Sequence, residues 1–209
     1  MHLSSAHRSP VVLAVLAVLL QALAARPAAA VRRRLDLATM TARAGTIVAG
    51  RIVSVRPGSH PKYRHIGALY VTVKVSETIK GPSKDRLTFM QFAGRAASTQ
   101  GSKSAFIAPT SPDLPSYRAG EEVLLFLYPT SGAGFTSPVG GPQGKFLIQR
   151  RQGQPATVNS GGGNQALAVS GELPPQITVG QQALLRHPGA TMDYKTFTAT
   201  VKELAKTIK

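Results

Sequence analysis

The stretch ALYVTVKVSETIK (68–80) restricts the possible folds more than any other part of the chain. Apolar side chains stand at every second position from Leu69 to Val75, and the alternate positions from Tyr70 to Ser76 carry Tyr, Thr, Lys and Ser. Successive side chains of a strand point to opposite faces. The alternation therefore predicts a strand with one buried and one solvated face, which is typical of an antiparallel sheet.

The corner GPSKD (81–85) predicts a turn directly after this strand. Pro82 has no backbone N–H and cannot donate to a sheet ladder, and it also restricts the conformation of Gly81. The next segment, RLTFMQFAG (86–94), is typical of a returning strand. We therefore expect a hairpin, with the corner as its joint and not as part of a site.

Three further segments predict strands. TIVAGRIVSVRPG (46–58) is rich in β-branched residues, and Gly50 in its middle indicates a bulge or a point where a side chain would obstruct. The run 123–128 in YRAGEEVLLFLYP is apolar on both faces, which predicts a central strand covered on each side. GFTSPVGGPQGKFLIQRR (134–151) predicts two short strands about a glycine-rich turn.

Two helices are expected, one before the strands and one after them. LDLATMTARAG (35–45) predicts a short helix that stops at Gly45. In TMDYKTFTATVKELAKTIK (191–209), Thr191 is a candidate cap. The apolar stripe of this second, amphipathic helix is expected to pack on the core and comprises Tyr194, Phe197, Val201, Leu204 and Ile208.

Together these elements predict a mainly β fold with flanking helices. We expect a five- to six-stranded antiparallel barrel over residues 35–151, a loop-rich extension over 152–190, and the closing helix over 191–209. A further long polar loop is predicted at 95–116, where proline and serine recur.

The first thirty residues follow the order of a secretory signal. A short segment with Arg8 precedes the apolar run VVLAVLAVLLQALAA (11–25), and Ala28 and Ala30 stand at the two small-residue positions before a cleavage site. The run is shorter than the ~20 residues of a spanning helix. We expect cleavage after Ala30 and a secreted or periplasmic protein with no further membrane span, the alternative being an uncleaved anchor.

Charge and cysteine content limit the possible functions. The chain has 25 Lys and Arg against 9 Asp and Glu, and no cysteine. The absence of cysteine excludes thiol catalysis, thiolate metal sites and iron–sulfur clusters. The positive charge favours contact with anionic partners, and the basic tail 31–34, with Arg32, Arg33 and Arg34, is a candidate electrostatic contact. Proteins that bind nucleic acid usually have a basic patch interleaved with aromatic residues. The sequence shows no such patch, so a specific nucleic-acid partner is not expected.

The loop SHPKYRHIG (59–67) holds the candidate binding residues. Two histidines without a nearby carboxylate do not predict a metal site, and ordinary loop polarity is the alternative interpretation. The candidate binding rim comprises His60, Lys62, Tyr63, Arg64 and His65.

No catalytic, cofactor-binding or metal-ligating residue is predicted. Glu121 and Glu122 are adjacent and should point to opposite faces, so they do not form a catalytic pair. The chain contains no nucleophile elbow, H-E-x-x-H, Walker A or EF-hand motif, and GGPQGK (140–145) is expected to be a hairpin turn. A hydrolase with residues that no motif identifies stays the minority hypothesis.

The order of these elements resembles a widespread group of uncharacterised secreted bacterial proteins. It is also similar, more distantly, to the netrin-like module of the tissue inhibitors of metalloproteinases. The segments that carry the resemblance are GTIVAGRIVSV, VSETIKGPSKDRLTF, GEEVLLFL and GPQGKFLI, within about residues 35–150. The resemblance implies an OB-like barrel with flanking helices that works by binding.

One property of those inhibitors does not transfer to this chain. They chelate the protease zinc through an N-terminal cysteine, whereas the expected mature start here is VRRRLDL. The sequence therefore predicts a secreted non-enzymatic binding module whose partner is a protein, such as a secreted peptidase, or an anionic glycan. The alternative is a basic envelope-associated protein held electrostatically to anionic surface polymers; the oligomeric state stays open.

Overall fold

A seven-stranded antiparallel sheet with one helix before it and one after it organises the described part of the chain. The structure is a computed structural model, and the residues that it describes are 35–95, 114–160 and 191–207. The elements are α1 (Leu37–Arg43), β1 (Thr46–Ser59), β2 (Ile66–Lys80), β3 (Arg86–Arg95), β4 (Glu122–Leu127), a short 3-10 helix (Gly141–Gly144), β5 (Lys145–Gln149), β6 (Thr157–Ser160), β7 (Met192–Asp193) and α2 (Tyr194–Thr207).

The strands lie in the order β3-β2-β1-β4-β5-β6-β7, and every neighbouring pair is antiparallel. The outermost strands, β3 and β7, do not pair with each other in the described part, so the sheet is open there. The predicted mainly β, antiparallel fold with two flanking helices is confirmed. The sheet has seven strands, whereas five or six are expected. The difference arises because β6 lies in the predicted extension and β7 lies in the segment predicted as the closing helix.

Strand β4 separates two hydrophobic cores. Its side chains from Val123 to Leu127 are buried, and they alternate between the cores. Leu124 and Phe126 join the core beneath the two helices, whereas Leu125 belongs to the core shared by β1, β2 and β3. The predicted central strand covered on both sides is therefore confirmed.

The hairpin corner after β2 is a structural joint, as expected. Gly81 has a φ of +91°, a conformation that glycine adopts without strain. The ammonium of Lys80 donates to the carbonyls of Thr41, at 2.8 Å, and Ala42, at 3.3 Å, in α1. The corner thus fastens the first helix to the end of the sheet.

The pairing is irregular at Gly50, as predicted, but the extra residue there lies in β2 and not in β1. The pairing of β1 with β2 shifts register between Ala49 and Gly50 and again between Ile52 and Ser54. An extra residue in one strand bends that strand and increases its twist. The extra residue is Ser76 of β2 at the first of these shifts and Val53 of β1 at the second, so each strand is bent once there.

The predicted cap of the closing helix was wrong. Helix α2 begins at Tyr194, and Asp193, not Thr191, accepts the N–H of Thr196 at 2.8 Å. The cause is β7, which occupies Met192 and Asp193 and delays the start of the helix. Of the predicted stripe, Phe197, Val201 and Leu204 are buried and Tyr194 packs against them, while Ile208 lies outside the described residues.

The segment 134–144 forms a 3-10 helix and isolated bridges in place of the first of two expected strands. It makes single bridges from Phe135 to Met90 and from Pro138 to Leu127. Gly140 and Gly141, with φ of +68° and +64°, then turn the backbone into the 3-10 helix. Left-handed backbone at two successive residues ends any ladder there, so only Lys145–Gln149 is a strand.

Helix α2 is tied to the sheet by a pH-sensitive contact. Glu77 of β2 accepts from Lys202 at 2.6 Å and from the Tyr194 hydroxyl at 2.8 Å. Burial acts to raise the pKa of Glu77, but these hydrogen bonds and the charge of Lys202 outweigh it. The pKa of Glu77 consequently lies below its usual value of 4.5.

We expect Glu77→Gln to lower the free energy of unfolding by about 1 kcal/mol at neutral pH, because the contact is partly exposed. A carboxylate with a depressed pKa stabilises the fold above its unfolded pKa, and this contribution is lost as pH falls through the folded pKa. The difference between wild type and variant, measured by urea unfolding, should therefore shrink below pH 4.5. Glu203→Gln, which removes an exposed pair within α2, is the control, and a difference independent of pH would contradict the assignment.

Candidate functional site

The open side of the sheet holds a cleft of about 320 Å³ along the outer edge of β3. Four consecutive residues, 87–90, form one wall. Because successive strand side chains point to opposite faces, a wall of consecutive residues means that the cleft follows the edge of the strand. The other lining residues are Thr46, Pro61, Tyr70, Lys84, Leu127, Tyr128, Thr130, Gly134 and Thr136.

One end of this cleft is closed by the segment 131–136. The N–H of Thr136 donates to the carbonyl of Met90 at 2.9 Å, and Phe135 forms a parallel bridge with Met90. The Thr136 hydroxyl donates to the carbonyl of Tyr128 at 2.6 Å. These bonds hold the segment against the middle of β3, at Met90, and leave the earlier part of its edge facing the cleft.

A row of aromatic rings lies beside the closed end, and we call it the aromatic row. Its rings come from three separate parts of the chain: the β1–β2 loop, β3 and the segment 131–136. Tyr63 is 40% exposed and Phe92 51% exposed. In order, with centroid separations of 6.0, 5.1, 5.0 and 6.5 Å, the row comprises Phe92, Phe135, His60, Tyr63 and His65.

His60 links the β1–β2 loop to segment 131–136 through hydrogen bonds of its ring. Its Nδ1 accepts the backbone N–H groups of Lys62, at 3.1 Å, and Tyr63, at 3.0 Å. Nε2 therefore carries the ring hydrogen and donates to the carbonyl of Ala133 at 2.7 Å. His60 is buried, so this predicted rim residue positions the loop and does not face solvent.

The other four predicted rim residues are brought together at the surface. Lys62 lies over the ring of Tyr63, with 5.5 Å from Nζ to the ring centroid, a cation–π contact. Arg64 and His65 are exposed, and the loop contains no acidic residue. The surface is therefore aromatic and positively charged. The predicted basic tail, Arg32 to Arg34, lies outside the described residues, as do residues 96–113 of the loop predicted over 95–116.

Sequence reasoning missed two members of the row, Phe92 and Phe135. A signal existed for the first: Phe92 stands on the side of β3 that begins with the polar residues Arg86 and Thr88. An apolar ring on the solvated face of a strand is a candidate contact residue. Phe135 had no comparable signal, because it lies in a glycine- and serine-rich segment without periodicity.

A buried polar network lies beside the core that β1, β2 and β3 share. Lys145 of β5 is almost fully buried and donates to Glu121, at 2.6 Å, and to the carbonyl of Ser116, at 2.5 Å. Its ammonium also lies 5.2 Å from the centroid of the Tyr117 ring. The Tyr117 hydroxyl donates to Gln91 of β3 at 2.9 Å, and burial raises the pKa of this hydroxyl well above its usual range.

Glu121 and Glu122 point in opposite directions, as predicted. Glu121 contacts the buried Lys145, whereas Glu122 lies between two exposed guanidinium groups, Arg51 at 2.6 Å and Arg150 at 2.7 Å. Glu122 and the two arginines line a second, shallower cavity of about 460 Å³. Glu122 already occupies both arginines there, so we place the candidate site at the aromatic row and the β3 cleft.

The described ranges contain no cluster of three or more His, Asp or Glu side chains that could hold a metal ion. Neither helix in these ranges is long and apolar enough to cross a membrane. Comparisons of the chain with protein-family models, with curated proteins and with solved structures find no match. Function is therefore inferred from the row and the cleft themselves.

Proposed function

We propose that this protein is an exported, non-enzymatic binding module that holds a protein partner on the aromatic row and the adjoining cleft. The observation that carries the proposal is the row itself. Segments far apart in sequence converge to present exposed rings at Tyr63 and Phe92. Large aromatic side chains supply much of the binding energy of protein interfaces, because each buries extensive apolar area with few rotatable bonds.

The lining of the cleft favours a polypeptide partner. One wall carries the apolar side chains of Leu87, Phe89 and Met90, and hydroxyl groups from Thr88 and Thr130 lie among them. Apolar pockets with a few placed polar groups suit ligands that present both side chains and backbone amides. An anionic glycan, the other partner class that the sequence suggests, would instead be expected to bind where charges dominate.

Export and an OB-like barrel belong to the same proposal. Export is supported by the signal pattern of residues 1–30. An OB-like, partly open barrel is supported by the bridge between Met90 and Phe135, which brings segment 131–136 toward the free edge of β3. The resemblance to netrin-like modules supports a secreted peptidase as the partner class, held without the zinc-chelating cysteine of those inhibitors.

A second candidate function is supported by the charge distribution. At least four of the seven carboxylates in the described ranges are engaged in ion pairs: Glu77, Glu121, Glu122 and Glu203. Exposed Lys62 and Arg64 have no ion-pair partner among the described residues. Such a surface would adhere to anionic envelope polymers, and this adhesion would weaken steeply with salt because exposed charges are screened.

The partner should survive a high-salt wash and depend on the aromatic row. We expect the double variant Tyr63→Ala, Phe92→Ser to retain less than about a tenth of the partner captured by wild-type chain from the secreted fraction of its own cells, because two anchor rings are lost. Val53→Ser removes another exposed apolar side chain, outside the row, and should capture normally. Thermal unfolding should be unchanged within a few degrees for both variants.

Two results would contradict the proposal. Equal capture by wild type and by the row variant would exclude the row as the contact surface. Release of all bound material between low and high salt would favour the electrostatic alternative, because a packed apolar interface is little affected by ionic strength.

A further inference from the structure

We infer that the free edge of β3 binds an extended, acidic segment of a partner polypeptide as an added strand. This inference rests on the proposed binding function and names the mode by which the partner is held. The edge of a sheet presents unpaired N–H and C=O groups that can pair with another chain. Such groups must face the cleft for a partner to pair with them.

The register of β3 shows which of its backbone groups face the cleft. In an antiparallel strand, the N–H and C=O groups of one residue point to the same side, and successive residues alternate. The carbonyl of Met90 accepts from Thr136 and so points away from β2. Thr88 and Arg86 lie two and four residues earlier and must point the same way.

Side-chain geometry supports this register independently. Thr88 lies opposite Thr72 of β2, and their hydroxyl oxygens are 3.0 Å apart. Side chains approach most closely at positions where the two residues do not exchange backbone hydrogen bonds. The N–H and C=O of Thr88 therefore face away from β2, and no backbone group in the described ranges pairs with those of Thr88 or Arg86 on that side.

The cleft has the dimensions of a short strand. It follows residues 87–90, and four strand residues span about 13 Å. Its volume of about 320 Å³ lies at the lower end of the range for ligand sites. An extended chain already pairs with this edge at one point, since Phe135 bridges Met90, and an added strand would continue the ladder toward Arg86.

Charge indicates an acidic partner segment and argues against a second copy of this chain. Lys84 lines the cleft and Arg86 is exposed at the same end, with Asp85 between them, and Lys62 and Arg64 flank the aromatic row at the other end. The full chain carries a formal charge of +16. Two copies paired along β3 would bring like charges together, which opposes association, whereas glutamates at the ends of a partner segment would be attracted.

The decisive variant is Thr88→Pro, compared with Thr88→Val, each in the protein recovered from the secreted fraction of its own cells. Proline removes the N–H that faces the cleft but none that pairs with β2, and prolines are tolerated at edge positions of this kind. Both variants lose the hydroxyl contact with Thr72, but only Thr88→Pro also loses the backbone N–H at the edge. The comparison therefore isolates the effect of that donor. The probe is a positional-scanning set of capped, fluorescein-labelled hexapeptides with glutamate at both ends, followed by fluorescence anisotropy.

We expect selected peptides to carry apolar residues at alternate positions. Thr88→Pro should weaken their binding about tenfold or more, and Thr88→Val less than about twofold, because the loss of one or two interface hydrogen bonds is worth roughly that factor. N-methylation of alternate peptide bonds in the selected peptides should abolish binding to the wild-type chain. Urea unfolding of both variants checks that the sheet is intact.

Three results would overturn the inference. They are the absence of any peptide that wild type binds more tightly than Thr88→Pro, equal binding of N-methylated peptides, and a concentration-dependent dimer that Thr88→Pro abolishes. If Thr88→Pro still captures the partner that the Tyr63→Ala, Phe92→Ser variant loses, strand addition is excluded while the proposed binding function stands. If the row variant also captures normally, both are excluded.

Discussion

Gly50→Ala is expected to lower the free energy of unfolding by roughly 3 kcal/mol or more, among the largest effects that one added methyl group can have. A Cβ at this position would lie 2.2 Å from the carbonyl oxygen of Lys74 and 2.9 Å from the Cα of Val75. Both are backbone atoms of β2, and neither can move without breaking the ladder between β1 and β2. The close approach of the two strands beside the register shift at Gly50 would be lost.

Gly132→Ala is the matched control for this variant. No atom lies within 4 Å of a Cβ built there, and the backbone is outside the left-handed region. Its free energy of unfolding should stay within about 0.5 kcal/mol of wild type, or rise slightly because alanine restricts the unfolded chain. Urea unfolding of the three proteins decides the matter, and a stable Gly50→Ala protein would mean that β1 and β2 do not approach as closely as described.

Glu121→Ala is expected to destabilise the chain by about 2–3 kcal/mol, because it leaves the ammonium of Lys145 buried without its carboxylate. Only 7% of the Lys145 side chain is exposed, so hydration of its ammonium would compensate only in part for the lost partner. The carbonyl of Ser116 and the ring of Tyr117 would remain as its contacts. The loss should be visible as a lower urea midpoint at an unchanged slope.

Removing the buried charge should reverse most of this loss. Lys145→Met keeps the length of the side chain and leaves Glu121, whose side chain is 22% exposed, accessible to water. We expect Lys145→Met alone to cost about 1 kcal/mol, and the double variant Glu121→Ala, Lys145→Met to be more stable than Glu121→Ala. Additive effects would refute a direct coupling between the two charges.

The network also connects the two proposed contact elements to the core. Tyr117 hydrogen-bonds Gln91 of β3, one residue from both Met90 at the cleft and Phe92 in the aromatic row. Lys145, through its contacts with Ser116 and the Tyr117 ring, fixes the segment that carries this bond. A destabilised network would therefore be expected to loosen the site as well as the fold, and for that reason the binding variants avoid it.

Much of the sheet could be predicted from the sequence because its signals are local. The alternation in 68–80, the Gly81-Pro82 corner and the doubly apolar run of β4 each depend on a few neighbouring residues, and all three correspond to the structure. Gly50 was identifiable as an obstructed position for the same reason. The fifth predicted strand before the 3-10 helix failed because Gly140 and Gly141 turn the backbone there.

The candidate site could be predicted only in part. Lys62, Tyr63, Arg64 and His65 stood out as an aromatic and basic loop, and they are exposed together. The role of His60 did not follow from its sequence, because it depends on a carbonyl 73 residues away, at Ala133. Nor could the sequence pair Phe92 with Phe135, since nothing local relates a strand end to a loop in another part of the chain.

Side-chain alternation and turn residues act over a few positions. For this reason the sequence alone predicts the mainly β class of fold, the hairpin of β2 and β3, the central position of β4 and the chemistry of the β1–β2 loop. Three other features are visible only in the structure: the open edge of β3 within the described ranges, the closure of one end of that edge by segment 131–136, and the contacts of His60 and the Lys145 network with distant segments. These features depend on contacts across tens of residues, whose positions are set by the packing of the whole chain.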